Sequence, residues 1–201
     1  VDGNSELGDM TSYYKSQIYY LKNDYAKALP LARKMLDKDV DQSYIAEANR
    51  IVGESLYHQG DFTAAIPYLQ QYVQGVDMPI TTTRYILGVC QFKTKDYSNA
   101  VESLEGVIGE DNAMGQSAYL IIGQSLLKQN DTHAAVMALD KAVKMNHDIE
   151  IQEVAFYNYA VASLQGGSIP FGNSVENFEE FLRRYPNSKY VPKVQEYIVT
   201  G

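Results

Sequence analysis

The chain has 201 residues, 45% hydrophobic and 21% charged, which excludes wholesale disorder and allows one or two compact domains. Its formal charge of −8, with no cationic cluster denser than the FLRRY stretch at Phe181 to Tyr185, removes nucleic acid from the expected partners. Cys90 is the single cysteine, so an intramolecular disulfide and a cysteine-built zinc site are both excluded, and no apolar run approaches the roughly 20 residues of a membrane-spanning helix.

The opening VDGNSELGDM is polar and lacks an initiator Met, a charged n-region and an h-region, so the chain is expected to be a processed piece of a longer protein. From there one phrase recurs. LKNDYAKALPLARKM (Leu21–Met35) returns as HQGDFTAAIPYLQQY (His58–Tyr72), KTKDYSNAVESLEGV (Lys93–Val107) and KQNDTHAAVMALDKA (Lys128–Ala142). Aligned on Ala28, Ala65, Ala100, Ala135 and, less well, Ser174, the copies step by 37, 35, 35 and 39 residues, a period that signals stacked supersecondary units.

Within each phrase an aspartate (Asp24, Asp61, Asp96, Asp131) stands where an N-cap would start a helix, and apolar residues follow at i, i+3, i+4 and i+7. A further small residue, Ser16, Gly53, Gly88 or Gly123, lies twelve positions before each alanine. Glycine inside a helix costs about 1 kcal/mol relative to alanine, so its recurrence at one phase predicts close approach between paired helices. The expected pairs are 10–22 with 24–36, 42–58 with 61–74, 79–93 with 96–108, 113–129 with 131–145, and 150–165 with 173–184, then a last helix at 189–199. The fifth departs from the pattern, because QGGSIPFGNS (Gln165–Ser174) replaces the short turn. Pro30 and Pro67, six residues after their aspartates, predict bent or loosened second helices in the first two pairs.

Chemical machinery is sparse. Asp37, Asp39, Asp41 and Ser43 alternate like calcium-loop ligands, but Gln42 replaces the required glycine and Ala48 the bidentate glutamate, so a polar turn with Asp41 or Ser43 capping the next helix is expected. His58, His133 and His147 have no companion at metal-ligand spacing, and Cys90 reads as an inert buried thiol. The sequence has no phosphate-loop, dinucleotide, nucleophile-elbow or zinc-protease motif, and Glu179-Glu180 sit on adjacent helix positions that form no acid/base dyad. No enzyme, cofactor or metal is therefore expected. The surplus is 17 tyrosines, amphipathic rings suited to packing between repeats or to contacting a partner.

Four phrases in phase resemble the tetratricopeptide repeat (TPR) family. Its small residue in the first helix matches Gly53, Gly88 and Gly123, its small residue in the second matches Ala28, Ala65, Ala100 and Ala135, and its following large apolar position matches Leu69, Leu104 and Leu139. The family's closing proline appears only at Pro186 and its tryptophan is absent. The resemblance implies an all-α fold, an α-α superhelix of about five helix-turn-helix repeats plus a terminal helix, making residues 1–201 a single repeat domain. It also implies a concave groove lined by the first helix of each pair: Tyr13, Gln17 and Tyr20, then Arg50, Glu54 and Tyr57, then Tyr85, Val89 and Phe92, then Leu120, Gln124 and Leu127. Tyr13 and Gln17 stand where some members carry the Lys and Asn of a carboxylate clamp, so recognition of that type is not expected. The segment NFEEFLRRYPNSKYVPKVQEYI (Asn177–Ile198) is similar to repeat junctions of bacterial cell-envelope members of the outer-membrane assembly and cell-division coordinator types, which implies a periplasmic or cell-envelope setting, with a cytoplasmic one as the alternative. In mechanical terms, Phe178, Phe181 and Leu182 should bury one face, Pro186 stop the helix, and Ser188 cap the next.

The expected function is a non-catalytic scaffold holding a protein or peptide in the groove, without nucleic acid and without membrane insertion. The rival expectation is a structural spacer or homo-oligomerisation segment of a larger envelope or sensor protein.

Overall fold

The structure, a computed structural model, describes residues 3–38, 40–165 and 174–200. Among the described residues there are eleven helices and no strand: α1 (Gly3–Leu21), α2 (Tyr25–Arg33), α3 (Gln42–His58), α4 (Phe62–Gly75), α5 (Thr81–Lys93), α6 (Tyr97–Glu105), α7 (Ala113–Lys128), α8 (Thr132–Lys144), α9 (Ile149–Gln165), α10 (Ser174–Arg184) and α11 (Val191–Thr200). The unusual connection after Gln165 lies outside the described residues. Two compact units divide the chain, Val1–Asp96 and Tyr97–Gly201.

In the first unit, α1 starts at Gly3 rather than near residue 10, since nothing in NSELGDM stops a helix from propagating backwards except Gly8, at about 1 kcal/mol. The turns that follow α1, α3 and α5 share one construction. Asn23, Gly60 and Lys95 adopt left-handed backbone at φ 58°, 82° and 66°. The next residue then sends its N–H to the carbonyl five positions back: Asp24 to Tyr19 at 2.9 Å, Asp61 to Leu56 at 3.0 Å, Asp96 to Gln91 at 2.8 Å. This closes orphan carbonyls at the helix end. Asp24 and Asp61 then accept the N–H of Lys27 and Ala64 at 3.3 and 3.0 Å, so one residue ends a helix and begins its successor. Asp41 caps α3 from the Ser43 N–H at 2.8 Å, the role expected for the aspartate-rich loop; Asp39 lies outside the described residues.

Pro30 and Pro67 both sit inside helices, and neither sets a helix's length. Helix α4 runs on to Gly75, while α6, which has no proline, is as short as α2 at nine residues. Both short helices stop three residues before their expected ends because bonds to the third residue back take over, Met35 to Ala32 at 3.0 Å and Val107 to Leu104 at 2.9 Å.

Glycine at the shared phase does what its spacing predicts. A Cβ on Gly53 would lie 2.6 Å from Leu69 Cγ, so α4 rests on bare α3 backbone. Ala28, Ala32, Ile51, Val52, Leu56, Ala65, Leu69, Ile86, Leu87 and Cys90 close the core of this unit. Burial pushes the Cys90 thiol up to about 12, which keeps it protonated and inert.

The second unit repeats the device, with Gly123 facing Leu139 Cγ at 2.5 Å and Asn130 left-handed at φ 63° ahead of the cap Asp131. Its core continues through Ala155, Phe156 and Tyr159 of α9 to Phe178 and Phe181 of α10 and Val194 of α11. Helix α10 ends at Arg184, just before Tyr185-Pro186, and Ser188 Oγ accepts the Tyr190 N–H at 3.0 Å in the turn leading into α11.

Candidate functional site

The faces named as groove positions fall into two separate sets. In the first unit α3 packs against both α1 and α5, which puts the first helices of three pairs side by side. Across them runs a polar network centred on Glu54, 2% exposed. Its carboxylate accepts the hydroxyls of Tyr20 from α1 and Thr83 from α5, and Arg50 Nη1 approaches it at 3.3 Å. Arg50 also holds Glu47 through two bonds of 2.8 and 2.6 Å and lies 4.8 Å from the centre of the Tyr20 ring. A carboxyl group this buried is tolerable only with such donors around it. In turn, burial and donation to Glu54 push the Tyr20 hydroxyl up to about 12; burial lowers the Arg50 guanidinium, and Glu47 and Glu54 together outweigh it and hold the group above its ordinary value.

One helical turn on, Tyr57, His58, Gly60, Phe62, Val89 and Lys93 line a pocket of about 350 Å³. Aromatic contacts frame it: Tyr25 stacks on His58 at 4.1 Å, and Tyr57 lies edge-on to His58 at 5.1 Å and tilted to Phe62 at 5.9 Å. Tyr85 and Phe92 are half-buried. Tyr13 belongs to a satellite core with Met35 and Ala48, edge-on to Tyr44 at 5.1 Å, and its hydroxyl accepts a bond from Gln17 at 2.8 Å.

In the second unit α7 presents Gln124 and Leu127 half-buried, while Leu120 is buried in the core. The polar contacts among the described residues of this unit are of a different kind. Two glutamines that the sequence reading passed over are prominent instead. Gln116, fully buried, donates to the carbonyls of Ala142 and Met145 at 3.1 and 2.8 Å and accepts the N–H groups of His147 and Asp148 at 3.2 and 2.8 Å. Gln152 donates to Val143 and Met145 at 2.7 and 3.1 Å and accepts the Tyr185 hydroxyl at 3.0 Å. Both clamp the loop between α8 and α9. The first unit likewise holds two partners that the sequence reading missed, Glu47 and Thr83, and only Glu47's spacing of three from Arg50 could have flagged either. Among the described residues no group of three or more His, Cys, Asp or Glu gathers to hold a metal, and no helix is long and apolar enough to cross a membrane.

Residues 116–148 match the family model described as tetratricopeptide repeat, and residues 22–107 match the model of anaphase-promoting complex, cyclosome, subunit 3. Among solved structures the chain is similar to YrrB, described as a TPR protein with an unusual peptide-binding site, at 16% identity and TM-score 0.75, covering 92% of this chain and 90% of that one. The fold is that of a tetratricopeptide-repeat solenoid. MamA is similar at 20% identity and TM-score 0.69, over 89% of this chain and 92% of that one. The MamA fragment from Desulfovibrio magneticus RS-1 follows at 18% and 0.65, over 90% and 97%. No curated protein matches the sequence. The similarity to solved structures shows the fold, and the tetratricopeptide repeat model matches within it at residues 116–148.

Proposed function

We propose that the chain binds a protein or peptide segment along the face formed by α1, α3 and α5, with the Tyr57 pocket as its anchoring subsite. The observation that carries this reading is the pairing of a 350 Å³ aromatic-walled pocket with a polar network whose side chains are already held in place. A floor fixed by Arg50 and Glu54 loses little side-chain entropy on binding, and Tyr57 and Phe62 offer broad area with few rotamers to freeze. Gln17, Tyr20, Tyr85 and Phe92 extend the face; Tyr13, Glu54 and Val89 support it from within the unit. On α7, Gln124 and Leu127 remain candidate contacts, supported by Leu120. Recognition by preorganised surface, rather than bond chemistry, is the proposed mechanism.

Selection from a displayed peptide library provides the test. Enriched peptides should bind the wild-type chain and lose at least tenfold in affinity for a Tyr57→Ala/Tyr85→Ala/Phe92→Ala variant whose circular dichroism is unchanged. Equal affinity for the two proteins would remove the groove reading. The second reading, a spacer or oligomerisation segment, is favoured by the burial of Tyr13, Glu54, Val89 and Leu120, four groove positions spent on packing. An envelope setting belongs with that reading and rests on the Phe181 to Ser188 pattern alone.

A further inference from the structure

Helix α1 carries an apolar stripe on a face separate from the candidate site. Tyr14, Ile18 and Leu21, at i, i+4 and i+7, lie within about 60° of one another around a helix of 3.6 residues per turn. They are 53%, 50% and 78% exposed.

The repeat register identifies what covers such a stripe elsewhere. Ser16, Gly53 and Gly88 align the three helices, so Tyr14 and Ile18 correspond to Ile51 and Ser55 of α3 and to Ile86 and Cys90 of α5. All four of those residues are buried. They are buried because α2 packs on α3 and α4 on α5, with Ile51 sharing a core with Ala28 and Ala32 of α2. The interface that recurs through this unit is thus continued on α1 by a face of the same register that stays open. Leu21 strengthens the point, since its counterparts are His58 and Lys93, both exposed, where α1 places an aliphatic side chain. Helix α11 carries no such stripe among the described residues: it exposes Pro192, Lys193, Gln195 and Glu196, with Val199 its strongly exposed aliphatic residue.

Charge narrows the occupant. Lys15 and Lys22 are exposed along one edge of the stripe, and from Met10 to Asn23 there is no acidic residue, in a chain of formal charge −8. A second copy presenting the same face would bring like charges together. We propose that this stripe docks an amphipathic helix of a partner protein, with small and aliphatic residues spaced as α2 presents them to α3 and an acidic edge opposite Lys15 and Lys22.

The probe is a helix-stapled peptide carrying the α2 stripe (Ala28, Leu29, Ala32) with glutamates along one edge, compared with a twin carrying lysines there. Fluorescence anisotropy with the whole chain should show the acidic peptide binding at least fivefold more tightly than its twin. Affinity should fall at least tenfold in Tyr14→Gln/Ile18→Gln/Leu21→Gln, and Lys15→Glu/Lys22→Glu should invert the preference between the two peptides. Undiminished binding by the triple variant, equal affinity for the two peptides, or no binding of either would overturn the assignment. So would concentration-dependent dimerisation in sedimentation that the triple variant abolishes, which gives the face to a second copy.

Discussion

The two units solve one packing problem with different polar chemistry. In the first, the helices are joined through a carboxyl group and a guanidinium: Glu54, enclosed, draws donors from α1, from α5 and from Arg50 on its own helix. In the second, neutral amides do the joining, with Gln116 and Gln152 satisfying the backbone groups of a loop. The difference matters because a buried charge is all or nothing. With every donor present it is accommodated; with one partner removed, the remaining charges are left desolvated, at about 3–5 kcal/mol. A neutral amide removed from a loop leaves unpaired backbone groups, at about 1–3 kcal/mol.

The largest expected effect follows directly. Glu54→Ala leaves Arg50, whose side chain is 13% exposed, with Glu47 as its one remaining carboxylate in the network, and should destabilise the first unit by about 3 kcal/mol or more. Gln116→Ala should cost the second unit about 2 kcal/mol. Hydrogen exchange resolves the two: α1, α3 and α5 should lose protection in the first variant, and the loop between α8 and α9 in the second. Equal losses throughout the chain in both variants would erase the contrast between charged and neutral joins.

A smaller effect tests the same network by titration. Because the Tyr20 pKa is raised by burial and by Glu54, its contribution is complete below the ordinary tyrosine value of 10.0 and is lost as pH rises through about 12. Burial also raises the hydroxyls of Tyr13, Tyr57, Tyr157, Tyr159 and Tyr185, so phenolate absorbance should show a late-titrating group of tyrosines that loses its component near pH 12 in Tyr20→Phe. The variant should be less stable than the wild type at neutral pH, with that difference shrinking between pH 10 and 12. Loss of the late phase in some other tyrosine variant, with Tyr20→Phe retaining it, would move the pivot of the network elsewhere.

Periodic features were legible in the sequence and solitary ones were not. Gly53 and Gly123 announced the bare backbone on which Leu69 and Leu139 rest, and Asp24, Asp61 and Asp131 announced helix starts, because steric room and capping are local needs repeated at each copy. The Phe178 and Phe181 face and the Ser188 turn were readable for the same reason. Three of the network's residues, Tyr20, Arg50 and Glu54, stood out as partner contacts, yet they meet one another at the Glu54 carboxylate, which also accepts from Thr83, 29 positions away. Gln116 stood out by neither period nor charge, and its role exists only once the Met145 to Asp148 loop folds over it. Helix ends were the other weak point. Where α2 and α6 stop depends on a competition between two bonding patterns that differ by little energy, which residue periodicity does not resolve.

The smallest expected effect lies in the turns both units share. At the left-handed position the first unit uses Asn23, Gly60 and Lys95, and the second uses Asn130 between α7 and α8. Glycine has no side chain to clash there, and asparagine can bond locally; lysine has neither advantage and carries strain of about 1–2 kcal/mol. Replacing Lys95 with Gly relieves that strain but loosens the unfolded chain, which returns about 0.4–1 kcal/mol. The net gain should be about 0.5–1 kcal/mol, and Gly60→Lys should lose a similar amount. Urea unfolding of the two variants checks both signs at once. A loss at residue 60 without a gain at residue 95 would mean that Lys95 is stabilised by its own side-chain contacts, and the turns would then differ in kind rather than in sequence alone.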